Sequence, residues 1–183
     1  MQFQDFFPYP KYRESQEKII KQIEESARSR KNILLSAPNG TGKTIIALSG
    51  LLPVAIENDL KIIYLCRTHA QNSRVIRELK KISSLGSTST LEPDINGLSI
   101  RGRNEMCLND MLLDLKVPPR ESMSVCSDLR KNKNCKYFLN LLKKKRNLDK
   151  PVLISPDILS KPVDAENLIN LCDEKKLCPY FLS

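Results

Sequence analysis

Asn32-Ile33-Leu34-Leu35-Ser36-Ala37-Pro38-Asn39-Gly40-Thr41-Gly42-Lys43-Thr44 is the stretch that decides the fold. Its apolar run, bounded by charge before and by Pro38-Asn39-Gly40 after, reads as a short buried strand ending in a turn. Residues 37–44 fit the phosphate-loop pattern, with Ala37 where glycine is usual. Gly40 and Gly42 permit a backbone that points successive N–H groups at phosphate oxygens, at the positive end of the following helix. Lys43 is placed to reach the β- and γ-phosphates and Thr44 to ligate Mg²⁺. The expected nucleotide site is therefore Ala37, Pro38, Asn39, Gly40, Thr41, Gly42, Lys43 and Thr44, with Lys43 and Thr44 acting on the reacting phosphates. A glycine turn that only caps a helix is the plainer alternative. The coincidence of strand, loop, lysine, hydroxyl and helix argues against it.

Outward from this loop, Ile19, Ile20, Ile23 and Ala27 recur at helical spacing, which predicts an amphipathic helix from Arg13 to about Arg28 behind a rigid Phe6-Phe7-Pro8-Tyr9-Pro10 entry. A helix is expected from Lys43 to about Pro53, a second strand over Lys61-Ile62-Ile63-Tyr64-Leu65-Cys66, and a helix from Gln71 to Ile82. Strand, turn, helix, strand, helix makes a βαβ unit with a parallel sheet, hence an α/β fold. Ser83 to Thr90 is small and polar, with Pro93, Asn96 and Gly97 following, so a loop or boundary belongs there. Residues 1–97 are taken as part of an α/β domain, 98–178 as a small cysteine-bearing insert, and 179–183 as the start of a return.

The chain has 183 residues, a formal charge of +9, 40% hydrophobic and 28% charged residues, an ordinary globular composition tilted basic. That length accommodates one sizeable core with an appendage but not two full-sized domains. No apolar run approaches the roughly 20 residues that span a bilayer, and Met1-Gln2-Phe3-Gln4-Asp5 lacks a secretory pattern. A non-membrane, intracellular protein is expected, cytoplasmic in a prokaryote or nuclear in a eukaryote. The basic excess makes a polyanion partner plausible.

Five of the six cysteines fall between Cys107 and Cys178. That density is too low for a disulfide scaffold, so metal binding is the better expectation. Cys107, Cys126, Cys135 and Cys178 are separated by 18, 8 and 42 residues, without the close pairs of a zinc ribbon. Four thiolates suit either Zn²⁺ or a [4Fe–4S] cluster. Cys66, ending a strand, and Cys172, in a helical pattern with Leu168, Ile169 and Leu171, are expected to be packed thiols; Cys172 is also the leading substitute ligand.

These motifs together resemble the superfamily-two DNA helicases of the xeroderma pigmentosum group D type. Phe7-Pro8-Tyr9 with Arg13 and Gln16 is similar to the family's entry motif, whose glutamine reads the adenine edge, and residues 37–44 to its motif I. Arg67-Thr68-His69 resembles motif Ia, near the single-stranded DNA backbone. Arg101-Gly102-Arg103-Asn104 looks like the basic stretch before the first cluster cysteine, and Leu177-Cys178-Pro179-Tyr180-Phe181 like the end of the cluster domain. The resemblance implies a partial RecA-like motor domain using ATP and Mg²⁺, a mainly helical insert with Cys107, Cys126, Cys135 and Cys178 on a [4Fe–4S] cluster, and translocation from 5′ to 3′ on single-stranded or forked DNA. The sequence departs from the family in lacking the Asp-Glu-Ala-His box, the arch domain and the second motor domain. It is expected to be an amino-terminal portion whose helicase activity belongs to a longer parent, serving repair or transcription with partner proteins the motifs do not identify. Leu168 to Glu174 is no substitute for the acidic box, because its spacing is helical.

Arg130 to Lys150 carries nine basic residues against one acid. Lys143, Lys144 and Lys145, with Arg67, Thr68, His69, Arg101 and Arg103, are the candidate DNA contacts. A solvated helix face is the plainer reading of the lysine run, and Tyr137 and Phe138 are expected to be core. The single histidine, His69, excludes a Ser–His–Asp or Cys–His hydrolase site. The competing functional readings are a stand-alone metal-stapled nucleic-acid-binding module without ATPase activity and a small phosphate-loop kinase.

Overall fold

The computed structural model describes residues 1–85, 95–114, 118–146 and 161–182, except for the side chains of residues 144–146. Most of the expected polar boundary (residues 86–94) and the side chains of Lys144, Lys145 and Arg146 lie outside these. The chain forms two compact units, Met1–Ile95 and Asn96–Ser183.

In the first unit a short 3₁₀ turn, Phe3–Phe6, precedes helices α1 (Gln16–Arg28), α2 (Lys43–Glu57) and α3 (His69–Ser83). Ile20 and Ile23 of α1 bury their apolar stripe against Ile46, Leu48 and Leu52 of α2, and Val75, Ile76, Leu79 and Ile82 of α3 join the same core. At roughly 1.5–3 kcal/mol per buried aliphatic side chain, this stripe is the main stabilising feature of the unit. Arg28, in the last turn of α1 where a cation complements the helix dipole, bonds Glu24 at 2.7 Å and Glu57 at 2.5 Å. Thr68 caps α3, its hydroxyl accepting from the Gln71 N–H at 3.3 Å.

Two expectations are corrected. Helix α2 does not stop near Pro53 but runs four residues further, to Glu57, with Pro53 inside it. Pro53 removes one backbone hydrogen bond, and burial of Leu52, Pro53, Val54 and Ala55 outweighs that loss. The parallel sheet is the larger difference: among the described residues no strand ladder forms, and the segments 32–36 and 61–66 run without ladder partners. Both are apolar at consecutive positions, the pattern of strands covered on both faces. Here Leu35, Ile62 and Cys66 pack on the core, whereas Leu34 is 100% exposed, Ile63 83% and Leu65 88%. A parallel strand acquires its ladder from neighbours on its flanks, and no described segment takes that place. Cys66 is accordingly half-buried, not enclosed in a sheet.

The second unit is helical: α4 (Asp110–Asp114), α5 (Pro119–Lys131), α6 (Lys136–Arg146), α7 (Ala165–Glu174) and the short α8 (Pro179–Leu182). One parallel bridge, Leu98 with Val163, ties its start to the segment before α7. Asp164 caps α7 by accepting from the Asn167 N–H at 2.9 Å. Met106, Val163, Leu168 and Cys172 form a small core, so Cys172 is a packed thiol as expected.

The α1–α2 crossing depends on Gly50. A Cβ there would stand 2.8 Å from Ile23 Cγ2 and 3.0 Å from the Ile20 carbonyl oxygen. Alanine favours a helix over glycine by about 1 kcal/mol, yet Gly50→Ala is expected to destabilise the unit by about 1–3 kcal/mol, because a backbone oxygen cannot move aside cheaply. Thermal unfolding followed by circular dichroism checks this; a midpoint at or above that of the parent chain would contradict it.

Candidate functional site

The residues of the expected nucleotide loop lie in the first unit, between the segment 32–36 and α2. Gly40 and Gly42 both hold left-handed backbone, φ +89° and +82°, where glycine has no Cβ penalty. Gly42 has a second constraint, since an added Cβ would meet the Gln16 side-chain nitrogen at 2.7 Å. Helix α2 begins at the next residue, so its unpaired N–H groups and positive dipole end face the loop. The Thr41 hydroxyl donates to the Pro38 carbonyl at 2.7 Å and tightens the turn.

Gln16 is 3% exposed. Its side-chain oxygen accepts from the Arg13 N–H at 2.8 Å and its nitrogen donates to the Thr41 carbonyl at 2.7 Å. One amide thereby clamps the entry segment to the phosphate loop. Each amide atom retains one further hydrogen-bonding position, which is what an adenine edge requires. The Arg13 guanidinium donates to the Gly40 carbonyl. Lys43 Nζ donates to the Ala37 and Pro38 carbonyls, each at 2.8 Å. In that pose the ammonium holds the loop together, and binding a phosphate requires it to exchange carbonyl partners for phosphate oxygens.

Arg13, Gln16, Asn39, Gly40, Gly42, Lys43 and Thr44 line a cavity of about 940 Å³ with Phe7, Tyr9, Arg74 and Glu78, and Ala37, Pro38 and Thr41 are not part of its lining; the volume is within the range for small-molecule sites. Tyr9 and the α3 residues were not legible as a unit in the sequence. The Tyr9 hydroxyl donates to Glu78 at 2.7 Å and accepts from Lys81 at 2.8 Å, while Lys81 also pairs with Glu78 at 3.2 Å and lies over the Tyr9 ring. Those bonds raise the Lys81 pKa above its ordinary value, the Tyr9 contact contributing most. Phe7, in the cavity lining, stacks on Tyr12 with centroids 4.2 Å apart.

In the second unit, Cys107, Cys126, Cys135 and Cys178 line one cavity of about 20 Å³, together with Arg103, Asn109, Arg130, Phe138, Tyr180 and Phe181. The Asn109 backbone N–H donates to Cys107 Sγ at 3.4 Å, and its side-chain amide to Cys135 Sγ at 3.9 Å. Burial raises the Cys107 pKa and pushes that of Cys178 up to about 11, with smaller contributions from the neighbouring cysteines. Cys172 lies outside this cavity, its pKa also raised to about 11 by burial. Arg103 stacks on Tyr180 and Phe181, and Arg130 on Phe138 and Phe181. The Nε–H of each arginine is buried without a hydrogen-bond partner among the described residues.

Among the described residues no three His, Cys, Asp or Glu side chains converge closely enough to grip one ion. A single tetrahedral Zn²⁺ with bonds of about 2.3 Å would require sulfurs about 3.8 Å apart. A cubane cluster accepts a wider frame, because each thiolate binds its own iron. Four thiols around one cavity, sulfur-directed N–H donors and two guanidinium Nε–H groups without partners among the described residues are a donor set that suits an anionic metal–thiolate group.

The candidate DNA contacts belong to both units. Arg67, Thr68 and His69 are exposed at the start of α3, and Lys143 is exposed on α6. Arg101 is paired with Glu166 at 3.0 Å, and Arg103 is drawn to the cysteine cavity. Tyr137 is buried as expected, whereas Phe138 is half-buried against Phe181. Asp173 and Glu174 occupy the last turn of α7, with Asp173 bound to Lys176 at 3.0 Å, so they are no strand-end acidic pair. Among the described residues no helix is long and apolar enough to cross a membrane.

Residues 13–112 match the DEAD/DEAH box helicase family and residues 64–183 match DEAD_2. The chain is 28% identical over 195 residues to the general transcription and DNA repair factor IIH helicase subunit XPD/RAD3 of Saccharomyces cerevisiae, covering 96% of this chain and 24% of that protein. It is 26% identical over 220 residues to the regulator of telomere elongation helicase 1 homolog of Drosophila melanogaster, covering 97% of this chain and 20% of that one. Against the Arabidopsis thaliana homolog of the same name it is 25% identical over 212 residues, with 97% and 19% covered. The chain thus spans a quarter or less of the length of these relatives. The family match carries a RecA-like fold class that the ladder-free segments 32–36 and 61–66 do not display by themselves. With its phosphate loop inside one match and its four clustered cysteines inside the other, the chain belongs to the DEAD/DEAH box helicases, of the XPD type.

Proposed function

We propose that this chain is the ATP-binding and cluster-bearing part of an ATP-dependent DNA helicase that moves 5′ to 3′ along single-stranded DNA at a fork. The observation that carries the nucleotide part is the buried Gln16 amide clamped to the phosphate loop. Its spare donor and acceptor positions select adenine. Gly40, Thr41, Gly42 and the start of α2 present N–H groups to the phosphates, Lys43 leaves the Ala37 and Pro38 carbonyls to neutralise them, and Thr44 holds Mg²⁺. Arg67, Thr68 and His69 meet the DNA backbone, with the lysines of α6 adding sequence-independent attraction. Cys107, Cys126, Cys135 and Cys178 hold a [4Fe–4S] cluster, which supplies folding energy to a unit whose own core is small.

Two measurements check this reading. Binding of a fluorescent ATP analogue is expected to weaken at least about tenfold, or 1.4 kcal/mol, in Lys43→Ala; unchanged affinity would overturn the nucleotide site. The anaerobically purified chain is expected to hold about four irons with matching sulfide. Each of Cys107→Ser, Cys126→Ser, Cys135→Ser and Cys178→Ser should lower that content, and Cys172→Ser should leave it intact. Loss in Cys172→Ser with retention in one of the four would reassign the ligands.

A further inference from the structure

Two residues beside the cysteine cavity have N–H groups whose arrangement neither packing nor secondary structure explains. Asn109 is 9% exposed and directs both of its N–H functions at sulfur, the backbone at Cys107 and the side chain at Cys135. A buried amide ordinarily finds oxygen partners, which make stronger hydrogen bonds than thiols do. Arg130, one helical turn after Cys126 on α5, keeps its guanidinium 4.4 Å from the Phe181 ring and 5.4 Å from the Phe138 ring. These rings hold the guanidinium, yet the buried Nε–H has no partner among the described residues. An orphaned buried donor costs roughly 1–3 kcal/mol, more when charged, so its position calls for an anionic acceptor in this cavity.

We propose that Asn109 and Arg130 are positioning residues for the cluster, forming an outer shell of N–H donors and positive charge that raises its reduction potential. This rests on the cluster reading given under Proposed function. A cluster held by four thiolates becomes more negative when it accepts an electron. Donors aimed at its sulfurs and a nearby guanidinium therefore stabilise the reduced form more than the oxidised form. Asn109 contributes hydrogen bonds to two ligand sulfurs from opposite ends of the ligand sequence interval that α5 fills. Arg130 contributes its charge and its Nε–H, with Phe138 and Phe181 fixing the guanidinium plane and keeping water from it.

The test is a redox titration of the anaerobically purified full chain, monitored by electron paramagnetic resonance of the reduced cluster, with iron and sulfide measured on each preparation. Asn109→Leu and Arg130→Met are expected to shift the midpoint to more negative potential, and their combination to shift it further. Arg130→Lys, which keeps the charge and loses the Nε–H, is expected to fall between the parent and Arg130→Met; it carries the test for this position if Arg130→Met does not load iron. Phe181→Leu serves as a packing control, expected to lower thermal stability with a smaller change in midpoint than Arg130→Met. Fully loaded Asn109→Leu and Arg130→Lys chains with the parent midpoint would overturn the donor shell and leave the cluster standing. A parent chain free of iron and sulfide would overturn the cluster itself, and the donor shell with it.

Discussion

The first unit is organised by one buried amide. Gln16 receives a hydrogen bond from the entry segment and gives one to the phosphate loop, and the left-handed Gly42 is the residue that lets the loop come so close. A buried amide left unpaired costs roughly 1–3 kcal/mol, so both partners are held in register by the same group. Helix α1 positions that group because its isoleucine stripe is locked against α2, and α2 begins at the loop. The apolar core and the nucleotide cavity are thus two ends of one arrangement.

The second unit has a different organising principle. Among the described residues Met106, Val163, Leu168 and Cys172 form one apolar cluster, while Arg103, Arg130, Phe138, Tyr180 and Phe181 join Leu108, Leu112 and Leu129 around the four remaining thiols. Stacking of Arg103 and Arg130 on Tyr180, Phe181 and Phe138 places cations in the lining of a cavity where burial raises the pKa of Cys107 and Cys178. Such a shell is of little use to a neutral cavity and well suited to an anionic group.

The first unit's helices were legible because their signals are local: the isoleucine spacing of α1 and the 3.6-residue repeat of α3 through Val75, Ile76, Leu79 and Ile82, whose start at His69, behind the Thr68 cap, was read two residues late. Pro53 misled because the cost of a proline is local whereas the burial that overrides it is tertiary. The strands at 32–36 and 61–66 were read from their composition, yet a ladder is a property of pairs, and composition cannot say which neighbour completes it. At the sites, the loop and the four cysteines were visible as motifs. The Tyr9–Glu78–Lys81 cluster joins residues more than 60 positions apart and left no periodic trace. Arg130 did have a signal, lying four residues after Cys126 on one helix face, but it was submerged in the general basic run.

Beside the phosphate loop of the first unit, the four-cysteine cavity of the second is proposed to hold an iron–sulfur cluster. Mössbauer and iron-edge X-ray absorption spectra of the anaerobically purified chain address it directly. The account predicts about four irons per chain, each in sulfur coordination with iron–iron scattering at short range. Zinc at about one atom per chain in a mononuclear sulfur environment, with no iron signal, would contradict it.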